Sequence, residues 1–357
     1  MRCSHASAGR PCIRRAAPLL SFPDVILGLS YIPFSWKFTP SMNLQQFRFV
    51  RETIRRNFNL TEAARALYTS QPGVSKAIIE FEEELGVKIF ERHGKRLKGL
   101  TKPGVAVWGV IDRIMREVDN LKKVSDEFAR HDEGALVIAC THTQARYLLP
   151  RVIPAFRARF PKVHVSLAEG NPEHLARLVL QDQADLAIAT ETLAQTAGLV
   201  ALPVYTWEHT LVVPPDHPLT SLTSSAARQL SLEHLARYPI VTYDRAFSGR
   251  RAIDQAFEQA GISPDIVLEA IDADVVKTYA DIGLGIGIIA GVAFDPRRDK
   301  TLVGLPAGHL FGTHTTSVAI RRNAFLRDFV YVLLEMLAPE LTRPVVAEAI
   351  GQPVAPR

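Results

Sequence analysis

Cysteine is scarce in this chain: three in 357 residues, at Cys3, Cys12 and Cys140. So few, so far apart, exclude a disulfide framework, and no CxxC or His/Cys spacing marks a structural zinc. This usage fits a reducing compartment. Long apolar runs are lacking too. No run of about 18 uncharged apolar residues, the length a membrane helix needs, occurs beyond the first forty positions. Catalytic signatures are missing as well: there is no G-x-S-x-G elbow, phosphate loop or zinc-protease spacing. What is present is ordinary globular composition, 47% hydrophobic and 22% charged, in a length that fits two or three domains.

The net charge of +5 is small but unevenly placed. Residues 1–41 carry +4, 42–103 carry +5, 104–132 carry −1 and 133–357 carry −3. A basic small domain ahead of a mildly acidic large one points to an anionic polymer bound by the first part. In residues 1–41, Arg2, Arg10, Arg14 and Arg15 precede a mostly apolar stretch that superficially resembles a signal peptide. Pro18, Pro23, Asp24 and Pro33 interrupt it. The segment therefore reads as a disordered extension upstream of a start at Met42, which N-terminal sequencing of the native protein tests.

Leu44, Phe47, Val50, Ile54 and Phe58 recur at helical spacing. Thr61 is expected to cap a second helix, Glu62 to Tyr68. Ser70 is a strong cap for a third, with Pro72 just inside it and Gly86 ending it. Two short helices joined by a tight turn make a helix-turn-helix, whose second helix offers Ser70, Gln71, Ser75 and Lys76 at its start. Residues 92–102 then carry five cations, Arg92, Lys95, Arg96, Lys98 and Lys102, around Gly94, and read as a wing.

The stretch from Ala63 to Arg92, with A-L-Y-T-S-Q-P-G-V-S-K-A-I at its centre and E-E-E-L-G-V-K-I-F at its end, resembles the LysR-type transcriptional regulators. Phe81 stands where that family more often has leucine. The resemblance implies that Gln71, Pro72, Ser75 and Lys76 face DNA. By their own chemistry Ser70, besides capping, suits a phosphate contact, and Arg92, Lys95 and Arg96 would lie along the backbone. From Gly104 to His131, Val107, Ile111, Ile114, Val118, Leu121 and Phe128 form an a/d seam, with Ser125 at the missing position. The seam alone fits either a dimer contact or packing on its own chain. The resemblance favours the dimer, and a two-fold dimer implies two half-sites in double-stranded DNA.

Beyond Gly134 short apolar strands alternate with helices, which argues α/β. Pro150 and Pro154 should kink the helix expected from Thr143 to Phe160. Gly285-Ile286-Gly287-Ile288-Ile289-Ala290 matches a dinucleotide fingerprint, but a helix precedes it and a strand follows. That is the wrong order for the motif. Thr141, His142, Thr143 and Gln144 follow the first strand and open the first helix. Thr190 ends a strand and Ser248 opens another helix. Hydroxyls, an amide and helix-terminal N–H groups at strand ends suit a small oxyanion, although each also suits simple capping.

T-H-T-Q-A-R-Y, then A-I-A-T-E at 187–191, F-S-G-R at 247–250 and D-A-D-V-V-K-T-Y at 272–279 resemble the CysB-type branch, regulators of sulfur assimilation and cysteine biosynthesis. This likeness runs from Met42 to about Val345. It implies a two-subdomain, periplasmic-binding-protein-like module in which Thr141, Thr143, Gln144, Thr190 and Ser248 meet sulfate or an acetylserine-like inducer; His142 and Glu191, beside them in sequence, are expected as further effector contacts. Ser248 replaces a threonine, and Ile271 stands where close relatives have threonine. Residues 220–230 look longer than in those relatives. Asp272, Asp274 and Lys277 read either as cleft residues or, the preferred reading, as a solvated helix start.

The chain is thus expected to hold an all-α winged helix-turn-helix (42–103) and a long linker helix (104–132). An α/β effector module of two Rossmann-like subdomains follows over 133–345, one from 134–203 with 307–345 and one from 204–306, with crossovers near Leu202–Thr206 and Leu302–Pro306. Residues 346–357 read as a tail. The expected protein is a cytoplasmic DNA-binding regulator and not an enzyme. It would have a small-molecule effector, no cofactor, no metal and no membrane contact. Its partners would be promoter DNA, RNA polymerase and copies of itself, as a homodimer or homotetramer. The competing readings are a LysR-type sensor of another anion or an aromatic acid, an exported anion-binding protein, and an enzyme built around His142.

Overall fold

Amphipathic spacing and capping build the N-terminal domain. The computed structural model describes residues 42–94, 96–129, 132–223 and 230–352, so the expected extension, Lys95 and most of the long 220–230 turn lie outside the described residues. Helix α1 (Leu44–Arg55) buries Phe49 and Val50 against α2 (Leu60–Ala66) and α3 (Gln71–Leu85). The start of α2 differs from expectation. Asn59, not Thr61, is its cap, because the Asn59 side chain accepts from the N–H groups of Thr61 and Glu62 at 3.0 and 3.1 Å. The helix therefore begins and ends two residues early and leaves Tyr68 outside it. Strands β1 (Phe90–His93) and β2 (Arg96–Leu100) pair antiparallel as the wing.

Helix α4 (Lys102–Ala129) is the linker. Gly104 is obligatory there, since a Cβ would lie 2.0 Å from the Ile89 carbonyl oxygen. The seam expected on α4 is divided in the structure. Ile111, with Met115, is buried in the N-terminal core, and Val107 and Val118 pack against it. Val110, Ile114, Leu121 and Phe128 are exposed, Phe128 at 88%. A single helix covering a neighbouring domain must turn one stripe inward, and only the remainder stays open to a second copy. Further along, α4 docks on the effector module. Asn120 bonds the Asn323 carbonyl, the Phe325 N–H and Arg321, and Glu127 pairs with Arg327 at 3.2 Å.

The effector module is one continuous, doubly wound sheet in two lobes. In the first, β3 (Glu133–Cys140) lies parallel between β4 (Lys162–Glu169) and β5 (Leu186–Ala189). Between β3 and β4 the expected single helix is broken into a π-turn (Gln144–Leu148), a 3-10 turn (Leu149–Arg151) and α5 (Ile153–Arg159). Pro150 and Pro154 explain the breaks, since neither has an N–H to continue a helix. Helix α6 (Pro172–Leu180) covers the opposite face of this lobe.

Strand β6 (Leu199–Val213) leaves the first lobe and enters the second, joined there by the short helices α7 (Pro218–Thr223) and α8 (Leu232–Leu235). Strand β7 (Ile240–Tyr243), helix α9 (Ser248–Gln259), strand β8 (Ile266–Ala270), helix α10 (Ala273–Asp281) and strand β9 (Ile286–Ala290) complete its parallel part. Gly285 and Gly287 lie in the turn and strand after α10, so the apparent dinucleotide fingerprint is a helix-to-strand connection.

Strand β10 (Val303–Pro306) pairs with β6 inside this second lobe. The return crossing therefore falls later than the expected Leu302–Pro306, through α11 (Gly308–Phe311) into β11 (Thr313–Arg321). The strand order is β4-β3-β5-β11-β6-β9-β7-β8, with β10 beside β6. Helices α12 (Asp328–Leu337) and α13 (Arg343–Ile350) close the first lobe. The last of these overturns the expected tail from 346. Val346, Ala347 and Ile350 are buried in the first lobe's core, because Arg343-Pro344 starts another amphipathic turn.

Candidate functional site

At the start of α3, Ser70 is exposed and its Oγ accepts from the Gly73 N–H at 3.2 Å. Pro72 and Lys76 are exposed, and Gln71 and Ser75 are half-buried. Lys76 has only a solvated pairing with Glu80 at 3.6 Å. Gln71 and exposed Arg96 border a polar groove completed by Asn57, Asn59 and Thr61, between the start of α2 and the wing. Arg92 differs from the free cation expected of it, since it lies 3.7 Å from the buried Glu82 carboxylate. Glu82 also accepts from the Ile89 and Phe90 N–H groups at 2.9 and 3.0 Å. It pins the wing to the helix, a role that no sequence signal exposes because its partners lie at and just before the first wing strand.

The second site is a cavity between the two lobes, about 430 Å³ including its opening. Thr141, Thr143 and Gln144 reach it from the end of β3, Thr190 from the end of β5 and Ser248 from the start of α9. Tyr243, Trp207, Phe247, Ile271 and Val292 are among its walls, and every residue lining it is uncharged. Thr190 and Ser248, from opposite lobes, hydrogen-bond to each other. Tyr205 donates to Gln144 Oε1 at 2.9 Å, which leaves the Gln144 NH₂ as the free end of the amide. Burial raises the Tyr205 hydroxyl's pKa, so it stays a donor. The first turn of α9 has no side-chain cap; the Arg250 N–H donates to the Phe247 carbonyl at 3.1 Å, which leaves those of Ser248 and Gly249 for a ligand. Burial followed by the nearby Glu169 carboxylate pushes the adjacent Cys140 thiol up to about 12 and keeps it protonated.

His142 stands outside this cavity, contrary to expectation. Its alternate direction along the chain turns it to a neighbouring depression with Glu169, Asn171 and Asp244. There Nδ1 lies 3.0 Å from Glu169 and Nε2 3.6 Å from Asp274. Glu191 opens a 3-10 turn directly after Thr190. Beside the cavity a charged clasp spans the lobes. Tyr147 donates to Asp274 at 2.7 Å and accepts from Lys277 at 2.9 Å, and Arg146 pairs with Asp274 at 3.2 Å.

Lys277 is buried and also bonds Asp299 at 2.9 Å and the Ala293 carbonyl at 3.0 Å. The preferred sequence reading of a solvated helix start therefore holds for Asp272, which caps α10, and fails for Lys277. His142, Asp272 and Asp274 bring ligand-type atoms within 4.8 Å of one another, but Arg146 and Lys277 already neutralise Asp274. Tyr205, Trp207 and Val292 went unmarked in the sequence because they lie within or beside strands rather than at a patterned start.

Residues 44–105 match the family model described as bacterial regulatory helix-turn-helix protein, lysR family, and residues 129–342 match the LysR substrate binding domain. The chain belongs to the LysR family of transcriptional regulators. Its similarity to the HTH-type transcriptional regulator CysB of Burkholderia cenocepacia is 56% identity over 309 residues, 87% of this chain and 97% of that one. The regulator SsuR of the same organism is 53% identical over 88% of this chain and all of its own. The crystal structure of the cofactor-binding domain of the Cbl transcriptional regulator aligns with TM-score 0.57 at 41% identity. It covers 61% of this chain and 93% of that one. Full-length CbnR complexed with its target DNA shares the fold, with TM-score 0.50 at 19% identity over 83% of this chain and 99% of that one.

This LysR-type regulator therefore pairs a DNA-binding helix-turn-helix with a small-molecule effector domain, and its relatives are regulators rather than enzymes. Among the described residues no helix is long and apolar enough to cross a membrane.

Proposed function

We propose that this LysR-type regulator controls sulfur-assimilation and cysteine-biosynthesis genes from the cytoplasm, in response to sulfate or an acetylserine-like inducer. The observation that carries the reading is the uncharged inter-lobe cavity, lined by Thr141, Thr143, Gln144, Thr190 and Ser248 beside the N-terminus of α9, which has no side-chain cap. Hydroxyl, amide and backbone N–H donors stabilise an anion without a cation, because a helix N-terminus adds a favourable field. The relatives named CysB and Cbl support the sulfur assignment. Sulfate carries no proton at neutral pH and asks only for donors. A protonated oxyanion also needs an acceptor, and no carboxylate lines the cavity. Calorimetric titration of the full chain should show sulfate binding that Thr141→Val with Gln144→Ala abolishes, and unaltered binding sinks the assignment.

The ligand touches both lobes, so it favours whichever relative pose its contacts fit and shifts the population by that difference in affinity. The start of α3, with Ser70, Gln71, Pro72, Ser75 and Lys76, enters the major groove, and Arg96 with the neighbouring wing follows the backbone. The exposed α4 stripe of Val110, Ile114, Leu121 and Phe128 pairs two copies, which sets two half-sites, and homodimers pair further into a tetramer that contacts RNA polymerase. Gln71→Ala and Lys76→Ala should abolish selective binding in a gel-shift with the fold intact.

A second reading, an aromatic-acid sensor, is favoured by Trp207, Tyr243 and Phe247 in the cavity wall. A thermal-shift screen against sulfate, thiosulfate, sulfonates, acetylated serines and aromatic acids separates the two, because each ligand stabilises the native state it binds.

A further inference from the structure

Beside the uncharged cavity lies a second depression, about 760 Å³ including its opening, with His142, Glu169, Asn171, Asp244, Phe247 and Ile271 among its walls. Its chemistry is the reverse of the cavity's. Glu169, at the end of β4, and Asp244, just after β7, bring carboxylates to it from opposite lobes, and no lysine or arginine lines it. Each carboxylate has one oxygen engaged. Glu169 Oε2 lies 3.0 Å from His142 Nδ1, and Asp244 Oδ1 accepts the Ala246 N–H at 2.8 Å. Among the described residues no protein group donates to the second oxygen of either. Open carboxylate oxygens on two sides of one space suit a cation that donates hydrogen bonds. Phe247 and Ile271 line both spaces, so the depression and the cavity adjoin across an apolar sill. Ile271 is 66% exposed there, a surface that methylene groups would cover.

We propose that this depression is an ammonium subsite and that the inducer is a small zwitterion, with its oxyanion in the neutral cavity, a short methylene link over Phe247 and Ile271, and its ammonium between Glu169 and Asp244. This rests on the reading that the neutral cavity binds an oxyanion. Sulfate fills only the first half of such a site. A primary ammonium brings three donors to the open carboxylate oxygens, and hydrogen bonds between two charged groups are the strong ones. One carboxylate stands on each lobe, so the ammonium, like the oxyanion, favours the pose in which the lobes are close.

Calorimetric titration of the full chain with three probes tests this. Taurine has an ammonium two carbons from its sulfonate, isethionate has a hydroxyl in place of that ammonium, and sulfate has neither. Wild type should bind taurine about ten-fold more tightly than isethionate. Asp244→Asn, which keeps an acceptor for the Ala246 N–H, should cut that preference to about three-fold, and Asp244→Asn with Glu169→Gln should abolish it. Isethionate and sulfate should stay within about three-fold of their wild-type affinities in both variants, which also shows the cavity intact. Taurine within about two-fold of isethionate on wild type overturns the proposal, and so does a ten-fold preference that survives in the double variant. An equal loss of all three probes in the variants overturns it too, because the carboxylates are then structural. Sulfate binding without a taurine preference removes the subsite alone. Failure of sulfate and both sulfonates to bind wild type removes the oxyanion reading, and the subsite with it.

Discussion

Two sets of contacts join the lobes of the effector module side by side, and they are built from opposite chemistry. The cavity set is neutral: Thr190 meets Ser248, and Gln144 is turned by Tyr205. The clasp set is charged: Asp274 and Lys277 close around Tyr147, with Arg146 and Asp299 behind them. Both begin in one short segment, since Thr141, Thr143 and Gln144 line the cavity and Arg146 and Tyr147 enter the clasp. The difference separates two jobs. Ion pairs with few open neighbours hold the lobes in register whether or not a ligand is present. Hydroxyls without a resident charge would leave the electrostatic attraction to the anion proposed as ligand. One π-turn carries Gln144, Arg146 and Tyr147 together.

The largest expected effect breaks the clasp. Lys277→Met leaves Asp299 and Asp274 without their buried cation and should cost about 3 kcal/mol in urea unfolding. A loss below about 1 kcal/mol would show that the clasp does not hold the lobes. Next comes the neutral set: Thr141→Val with Gln144→Ala should weaken sulfate binding at least 30-fold, about 2 kcal/mol, with native stability little changed. If that pair of changes unfolds the protein as Lys277→Met does, the division of labour is false.

A smaller effect is acid-dependent. Burial alone would raise the Asp274 carboxyl, but hydrogen bonds from Tyr147 and Lys277 and the charges of Lys277 and Arg146 prevail, and its pKa falls below the ordinary value. Its contribution is therefore full above the unfolded value of about 3.9 and is lost as pH falls through the lower folded value. Asp274→Asn should flatten the melting-temperature profile below about pH 4; an unchanged profile would remove Asp274 from the clasp. The smallest effect is none at all. Cys140, buried behind Thr141 with its thiol raised to about 12, should resist alkylation in the native protein at neutral pH, as peptide mapping would show. Rapid labelling would mean that the cavity floor opens.

Much of this was legible residue by residue. Ser70 and Gly86 mark both ends of α3 because capping is local chemistry. The threonines after β3 and β5 point to a cleft because ligands in open α/β sheets meet strand carboxyl ends. The errors were of one kind. Thr61 and Asn59 are both good caps, and which one acts depends on how α1 hands the chain over through Asn57 and Phe58, both at positive φ. The seam on α4 could not be divided between self and partner without knowing where α1 lies. His142 has the same neighbours in sequence as Thr141 and Thr143, and only the direction of its side chain removes it from the cavity.

By itself the sequence determined the helix-turn-helix, the alternating α/β module and the hydroxyl-bearing strand ends. Each of these is written in spacing over a few residues, where helix and strand periodicity and caps operate. Tertiary structure alone decided that Lys277 is buried on Tyr147, 130 residues away, and that Arg92 answers to Glu82. It also decided that the uncharged cavity and the charged clasp stand next to each other. The reason is desolvation: whether a charge is solvated or must be paired depends on what packs over it, and that neighbour comes from another part of the chain.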